Sequence, residues 1–341
     1  MKILSFIIPA YNSAAFLEKC VSSMLNLKVL DKLEILIIND GSTDTTVQIA
    51  QGYCERYPDT VHLISQPNKG HGGALNTGFA AAIGKYLKVI DADDWIQTKN
   101  LPKFIHLLEV SESDVVLTHY QTIDISTGEI KNWRSYPKKF EEIYTLRDVM
   151  DSWRSFDRAL TFHGITYRRD FYQKYAQPLP EHVFYEDHVY ATFPCCQAEK
   201  LVCFDLFIYE YRIGDISQSV SAANQLRRIG QTETVIRRMM EQCQALPEGD
   251  GKHYAAMKMQ GLVLSYITTA LLGEPKRKSG RQMAAALMAD CKRNVPDVYT
   301  LALSKYRIFQ VMNLLKLNKN TWDRIQNSWL YNHLRGNHSF K

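Results

Sequence analysis

The chain has no long hydrophobic run, no paired-cysteine motif and no low-complexity tract. Its longest apolar stretches, near Ile3–Tyr11 and Leu262–Leu272, fall short of the roughly 18 residues of a spanning helix, so no membrane crossing is expected. The seven cysteines (20, 54, 195, 196, 203, 243 and 291) form no C-x-x-C pair. Structural zinc and a redox dithiol are therefore disfavoured. Cys195-Cys196 lie in an apolar run and read as core. Free thiols without a secretory signal fit a reducing, cytoplasmic compartment. No internal repeat stands out. A P-loop is missing, and Gly70-His71-Gly72-Gly73 fails the dinucleotide fingerprint because Leu75 occupies the third glycine position. No nucleic-acid motif is present, so no nucleic-acid partner is expected.

What is there is an ordinary globular composition. Of 341 residues, 45% are apolar, enough for a sizeable core without staples. The net charge of +5 is unevenly spread. Residues 1–249 carry 26 Lys+Arg against 31 Asp+Glu, a net of −5, and residues 250–341 carry 15 against 5, a net of +10. An acidic body leaves room for a cation, and a basic tail bears on partners.

The first hundred residues alternate strand and helix. Strands are expected at Leu4–Pro9, Glu34–Asn39, Val61–Ser65 and Tyr86–Ile90. Helices are expected at Ala14–Leu25, through Val47, Ala50 and Cys54, and at Gly72–Ile83. Ser42 and Asp44 suit N-caps of the second helix. This rhythm argues for a mostly parallel sheet covered by helices. The middle is less regular, with strands near Val115–His119 and Leu201–Tyr211, a turn-rich Thr122–Lys139 and a helix over Glu186–Cys196. From Asn224 the pattern is helical: Leu226–Leu246, Tyr254–Leu272, Arg281–Arg293, Tyr299–Leu317 and Trp322–Leu334. The expected domains are 1–222, in halves of about 1–115 and 116–222, and a basic helical 223–341.

In a parallel sheet ligands bind beyond the carboxyl ends of the strands. Asn12, Asp40 and Asp91-Ala-Asp-Asp94 all fall there. Three carboxylates within four residues have two readings, a solvated turn or a site for a hard cation such as Mn2+ or Mg2+. Their convergence with Asp40 favours the cation. Gly70-His71-Gly72-Gly73 reads as a loop opening a helix, or as a place where backbone approaches a ligand closely. Glu186-Asp187 at a helix start complements the helix dipole, or supplies a general base; the pattern alone slightly prefers the dipole. Arg212 is a phosphate contact or a surface arginine.

In order along the chain, Ser5-Phe-Ile-Ile-Pro-Ala-Tyr-Asn12, Asn39-Asp-Gly-Ser-Thr-Asp44, Asn68-x-Gly70 with Asn76-x-Gly78, Gly84-Lys-Tyr86, Asp91-Ala-Asp-Asp94, Tyr185-Glu-Asp187 and Tyr211-Arg212 resemble family 2 of the inverting nucleotide-sugar glycosyltransferases. The likeness covers about residues 3–220. It implies a GT-A fold, Rossmann-like with a mostly parallel sheet flanked by helices, and a nucleoside-diphosphate sugar donor, most often UDP-linked. It places Pro9, Tyr11, Asp40 and Asp91 against the nucleoside and makes Asp93, with Asp91, the metal ligand. Asn12, Asn68, Gly70, Asn76 and Arg212 join the donor side. Asp187 becomes the catalytic base, reversing the preference drawn from pattern alone. Three departures touch the donor sugar and its phosphates: Asn39 for an acid, Leu75 for arginine, and the small His71-Gly72-Gly73.

The expected activity is transfer of a hexose to a hydroxyl of a glycan or lipid-linked acceptor, in the synthesis of cell-surface polysaccharide or glycolipid. Two alternatives are a sugar-nucleotidyltransferase and a silent sugar-nucleotide or polysaccharide-binding protein. Pro9-Ala-Tyr-Asn12 stands where the first would carry a Gly-rich basic loop, and the intact Asp40, Asp93 and Asp187 speak against the second. The tail lies outside the resemblance. Leu301, Ile308, Val311, Met312 and Leu315, with Lys305, Arg307, Lys316, Trp322, Trp329 and Tyr331 nearby, suit a bundle packed on the catalytic domain or a dimer surface. They also suit reversible docking at the inner face of a cell membrane.

Overall fold

A computed structural model describes residues 1–214 and 222–326. The polar stretch 215–221, Trp329, Tyr331 and the end of the helix expected to reach Leu334 lie outside the described residues.

The chain divides into two compact units: Met1–Gln218 with Pro247–Ala255, and Ser219–Leu246 with Ala256–Lys341. Among the described residues the first is built on a ten-stranded sheet: β1 Leu4–Ala10, β2 Leu33–Asn39, β3 Val61–Ser65, β4 Tyr86–Val89, β5 Trp95–Ile96, β6 Val115–Asp124, β7 Ile130–Trp133, β8 Ile143–Tyr144, β9 Ile165–Arg168 and β10 Leu201–Ile213. The order is β3-β2-β1-β4-β9-β6-β10-β5, with β7 on β6 and β8 on β10. Helices α1 (Leu17–Met24), α2 (Thr46–Arg56), α3 (Gly70–Ala81) and α4 (Leu101–Val110) link the early strands.

The first four strands pair in parallel, Ile7 lying opposite both Leu36 and Val89. β1 and β2 are buried at every residue, which is why they read as continuous apolar runs. Beyond β4 the sheet becomes mixed: β9 runs antiparallel to β4 and β6, while β10 runs parallel to β6. The parallel expectation thus holds where strand and helix alternate. It gives way where the connections become irregular.

Local departures have local causes. Thr122–Lys139 is not all turn, because β6 continues to Asp124 and folds back as β7. The helix expected over Glu186–Cys196 forms only at Asp187–Tyr190, with a further turn at Cys195–Gln197. Pro194, which has no N–H to donate, stands between them. Asp44 accepts the Thr46 N–H at 3.0 Å as a helix-start acceptor, but Ser42 is turned to the Asn12 N–H instead. At the opposite end of the strands the Ser5 hydroxyl is bound to buried Glu34 and accepts the Gly84 N–H at 2.8 Å. A side chain at Gly84 would meet the backbone of Leu4 and Ser5, so that glycine serves packing.

The second unit is helical over its described residues: Ala222–Arg227, Ile229–Ala245, most of Asp250–Thr268, Arg277–Asn294, Pro296–Leu314 and Lys319–Gln326. The stretch Asp250–Gly273 is longer than the sequence reading allowed. It is long and apolar enough to cross a membrane by length and composition, yet 61% of its apolar window is buried inside the protein, as in a core helix.

Candidate active site

β4 delivers Asp91, Asp93 and Asp94 to the carboxyl edge of the sheet, where one ligand atom of each lies within 4.8 Å of the others. The three differ in surroundings. Asp94 is buried; its carboxylate accepts the Tyr209 hydroxyl at 2.5 Å and the Arg212 backbone N–H at 2.7 Å. It locks the turn to β10. Burial, together with the charges of Asp91 and Asp93, pushes its carboxyl well above the usual range. Asp91 accepts from His71 Nε2 at 2.9 Å, and its N–H donates to the Tyr209 hydroxyl at 3.2 Å. Asp93 lies 3.7 Å from the Arg212 guanidinium. Burial, then the Asp91 charge, raises its carboxyl to about 6. Arg212 itself is buried and packs over the Phe16 ring at 4.5 Å.

The ends of β1 and β2 form a second wall. Pro9 is buried within β1, while Tyr11 is 54% exposed at its end. Asn12 takes a left-handed backbone (φ 49°), and its side chain accepts the Thr43 N–H at 2.8 Å. Asp40 is buried; one carboxylate oxygen accepts Gln66 Nε2 at 2.7 Å and the Lys69 N–H at 2.8 Å. The Asp40 carbonyl accepts from the Asn68 amide at 2.9 Å. Asn68 therefore braces the wall.

Close backbone approach occurs at the start of α3, where another segment of the chain lies against it. A Cβ on Gly70 (φ +75°) would stand 2.8 Å from the His182 nitrogen, and one on Gly72 would collide with the Pro180 carbonyl. The Asn76 amide both accepts from and donates to the Leu179 backbone, each at 2.9 Å, so both ends of that side chain are engaged. His182 donates to the Lys69 carbonyl at 3.0 Å.

His71 completes the bracket. Nδ1 meets the buried Glu186 carboxylate and Nε2 meets Asp91. Burial works against a charge on this imidazole, but the two carboxylates outweigh it and raise its pKa well above the ordinary value. The imidazolium thus joins the acidic turn to the residue preceding Asp187. Sequence reasoning assigned His71 no role. The two partners lie 20 and 115 positions away, and no local pattern signals such a pair.

Asp187, half-buried, opens the short helix after Glu186. Burial drives the His163 imidazole down to about 4, and the negative charges of Asp91 and Asp187 both act against that. His163 stacks on Tyr211 at 4.4 Å and packs edge-on against Tyr209 at 4.8 Å. Beneath lies Lys88, wholly buried, donating to the carbonyls of His163 and Ile165; burial lowers its pKa to about 7. Tyr209 and Lys88 are further site-supporting residues that the motifs did not single out. Six of the seven cysteines are buried, in keeping with a packing role.

Comparison with known proteins gives this arrangement a context. Residues 5–176 match the family model described as Glycosyl transferase family 2. The uncharacterized glycosyltransferase alr2836 of Nostoc sp. is 33% identical over 175 residues, covering 51% of this chain and 53% of that protein. The chain thus matches about half the length of that relative. Among solved structures, residues 1–349 of S. aureus TarS in complex with UDP-GlcNAc are 17% identical, with a TM-score of 0.55, covering 93% of each chain. The mannosyltransferase PcManGT from Pyrobaculum calidifontis, in complex with GDP-Man and Mn2+, is 16% identical with a TM-score of 0.52, covering 96% of this chain and 87% of that one. These likenesses show the fold: GT-A-like, with a curled mixed sheet flanked by helices and a helical C-terminal region.

Proposed function

This chain belongs to glycosyl transferase family 2, and from that premise we propose that it is an inverting hexosyltransferase. The donor is a nucleoside-diphosphate sugar, UDP-linked, and the acceptor is a hydroxyl of a glycan or lipid-linked saccharide. The observation that carries this reading is the meeting of Asp91, Asp93 and Arg212 at one sheet edge, with Asp40 at the end of β2 on the far side of β1, and with the charges of Asp91 and Asp187 both acting on His163. UDP-GlcNAc bound to TarS and GDP-Man with Mn2+ bound to PcManGT support it.

The donor set fits Mn2+ or Mg2+. Hard carboxylate oxygens converge, and burial, then the Asp91 charge, raises the Asp93 pKa despite Arg212 and His71. Asp93 and Asp91 would hold the ion, because Asp94 is spent on Tyr209 and Arg212. When bound, such a metal neutralises charge developing on the departing diphosphate. Arg212 brings a guanidinium to the same place. Pro9, Tyr11, Asp40 and Asp91 contain the nucleoside, with Asn12, Asn68 and Gly70 shaping the rim. Asn76 acts at one remove, by holding Leu179. Asp187 takes the proton of the acceptor hydroxyl as its oxygen attacks the anomeric carbon opposite the leaving group. One displacement inverts the configuration, so an α-linked donor yields a β-linked product.

Asp187→Asn is expected to lower turnover by roughly 10²–10⁴ while sparing donor affinity, as loss of a general base does. Near-normal turnover would remove Asp187 from that role. Hydrolysis of a panel of UDP-, GDP- and dTDP-sugars with Mn2+ identifies the donor; no turnover of any of them would sink the transferase reading.

A further inference from the structure

Helix Pro296–Leu314 buries one side only. Val298, Ala302, Phe309 and Met312 are in the core. Ile308, Val311, Leu314 and Leu315 are 46%, 55%, 66% and 65% exposed. Spacings of three and four residues align these four as one aliphatic stripe, about 10 Å long at helical rise. The single face expected from sequence is therefore divided: Met312 turns inward and Leu314 joins the exposed row. Trp322 is buried edge-on against Phe309 at 4.9 Å, as the bundle reading has it.

A water-facing aliphatic row on a helix marks a docking surface, and its charged neighbours indicate what docks. Arg307 and Lys316 are exposed beside it. The Arg277 guanidinium donates to the Lys316 carbonyl at 3.5 Å and to that of Leu271 at 2.9 Å. Exposed Lys276 and Lys278 flank Arg277, so the end of the row is ringed with positive charge. No acid occurs from Tyr299 to Thr321, and residues 250–341 carry 15 Lys+Arg against 5 Asp+Glu.

We propose that this stripe is a reversible docking surface for an anionic lipid bilayer. Ile308, Val311, Leu314 and Leu315 enter the headgroup–acyl boundary, to the roughly 5–10 Å depth of interfacial helices. Arg307, Lys316 and the Lys276–Lys278 group face lipid phosphates. Branched aliphatics without a hydrogen-bonding group among them suit acyl chains. A second copy of this chain would set like charge against like charge.

The test is flotation of the full chain with vesicles of phosphatidylcholine alone, or mixed with phosphatidylglycerol. Binding is expected only to the mixed vesicles and falls with added salt. The double variant Leu314→Asp, Leu315→Asp is expected to lose roughly tenfold or more of its bound fraction, and Lys316→Ala about fivefold. Both are surface changes, so retained melting temperature and UDP-sugar hydrolysis verify folding. No flotation of the wild type with anionic vesicles, or equal flotation of the double variant, overturns the proposal. So does a wild-type dimer in light scattering that the double variant abolishes while neither floats, which would make the stripe a self-association surface.

Discussion

Asp93 occupies a position that resists its own charge. Burial and the Asp91 carboxylate raise its pKa from 3.8 to about 6, with Asp94 in the same cluster; a backbone hydrogen bond, Arg212 and His71 offset only part of this. Between those two pH values the native state holds a proton that the unfolded chain has released. Stability therefore falls as pH rises through the window, and the deficit is complete above it. In the presence of a chelator, Asp93→Asn should melt higher than wild type at neutral pH, and the gap should close below about pH 4. Manganese should then stabilise the wild type and not the variant. Equal melting curves across pH would mean that the cluster disperses its charge without a cation. At this scale the acids were legible because they are contiguous in the chain. The His71–Glu186 contact was not, since its members are brought together only by the packing of α3 against segment 179–186. Asn76 shows the converse: the motif flagged it, and the structure engages its amide with Leu179.

Among the elements, α3 acts as a bracket. Its small N-terminal residues let Leu179–His182 lie against helix backbone, which positions Glu186 and Asp187 relative to the acidic turn. Gly72→Ala would force a Cβ into the Pro180 carbonyl. The expected result is a stability loss of about 1–3 kcal/mol, the usual range for overpacking, with reduced turnover. Gly52 in α2 has nothing within 4 Å of an added Cβ, so Gly52→Ala should stabilise by about 1 kcal/mol through helix propensity. Thermal melts of the pair measure this directly, and equal shifts of the same sign would refute the packing argument. The buried parallel strands were readable from apolar runs, and the early helices from their spacing. The turn to a mixed sheet after β4 was not, because antiparallel insertion of β9 depends on which edges are left to pair.

For the whole molecule, charge and ligand linkage matter more than any single contact. If donor diphosphate and cation share the carboxyl edge, each stabilises the fold more in the presence of the other. UDP at about a hundredfold over its dissociation constant should add about 2.7 kcal/mol, read as a rise of several degrees in melting temperature. With a chelator present the rise should shrink markedly. An undiminished rise would separate nucleotide binding from the metal.

The sequence by itself determined the alternation of strand and helix, the acids at the strand ends, the family and the basic tail, because each is written in neighbouring residues or in a short period. Tertiary structure alone decided that Tyr209 and the Arg212 backbone are what Asp94 holds, that His71 bridges Asp91 and Glu186, and that the glycines of α3 admit a neighbouring segment. It also decided which aliphatics of helix Pro296–Leu314 stay in water. The physical reason is common to all four. Periodicity says which residues share a face, but whether a face is covered, and by what, depends on groups that only folding brings within a few ångströms.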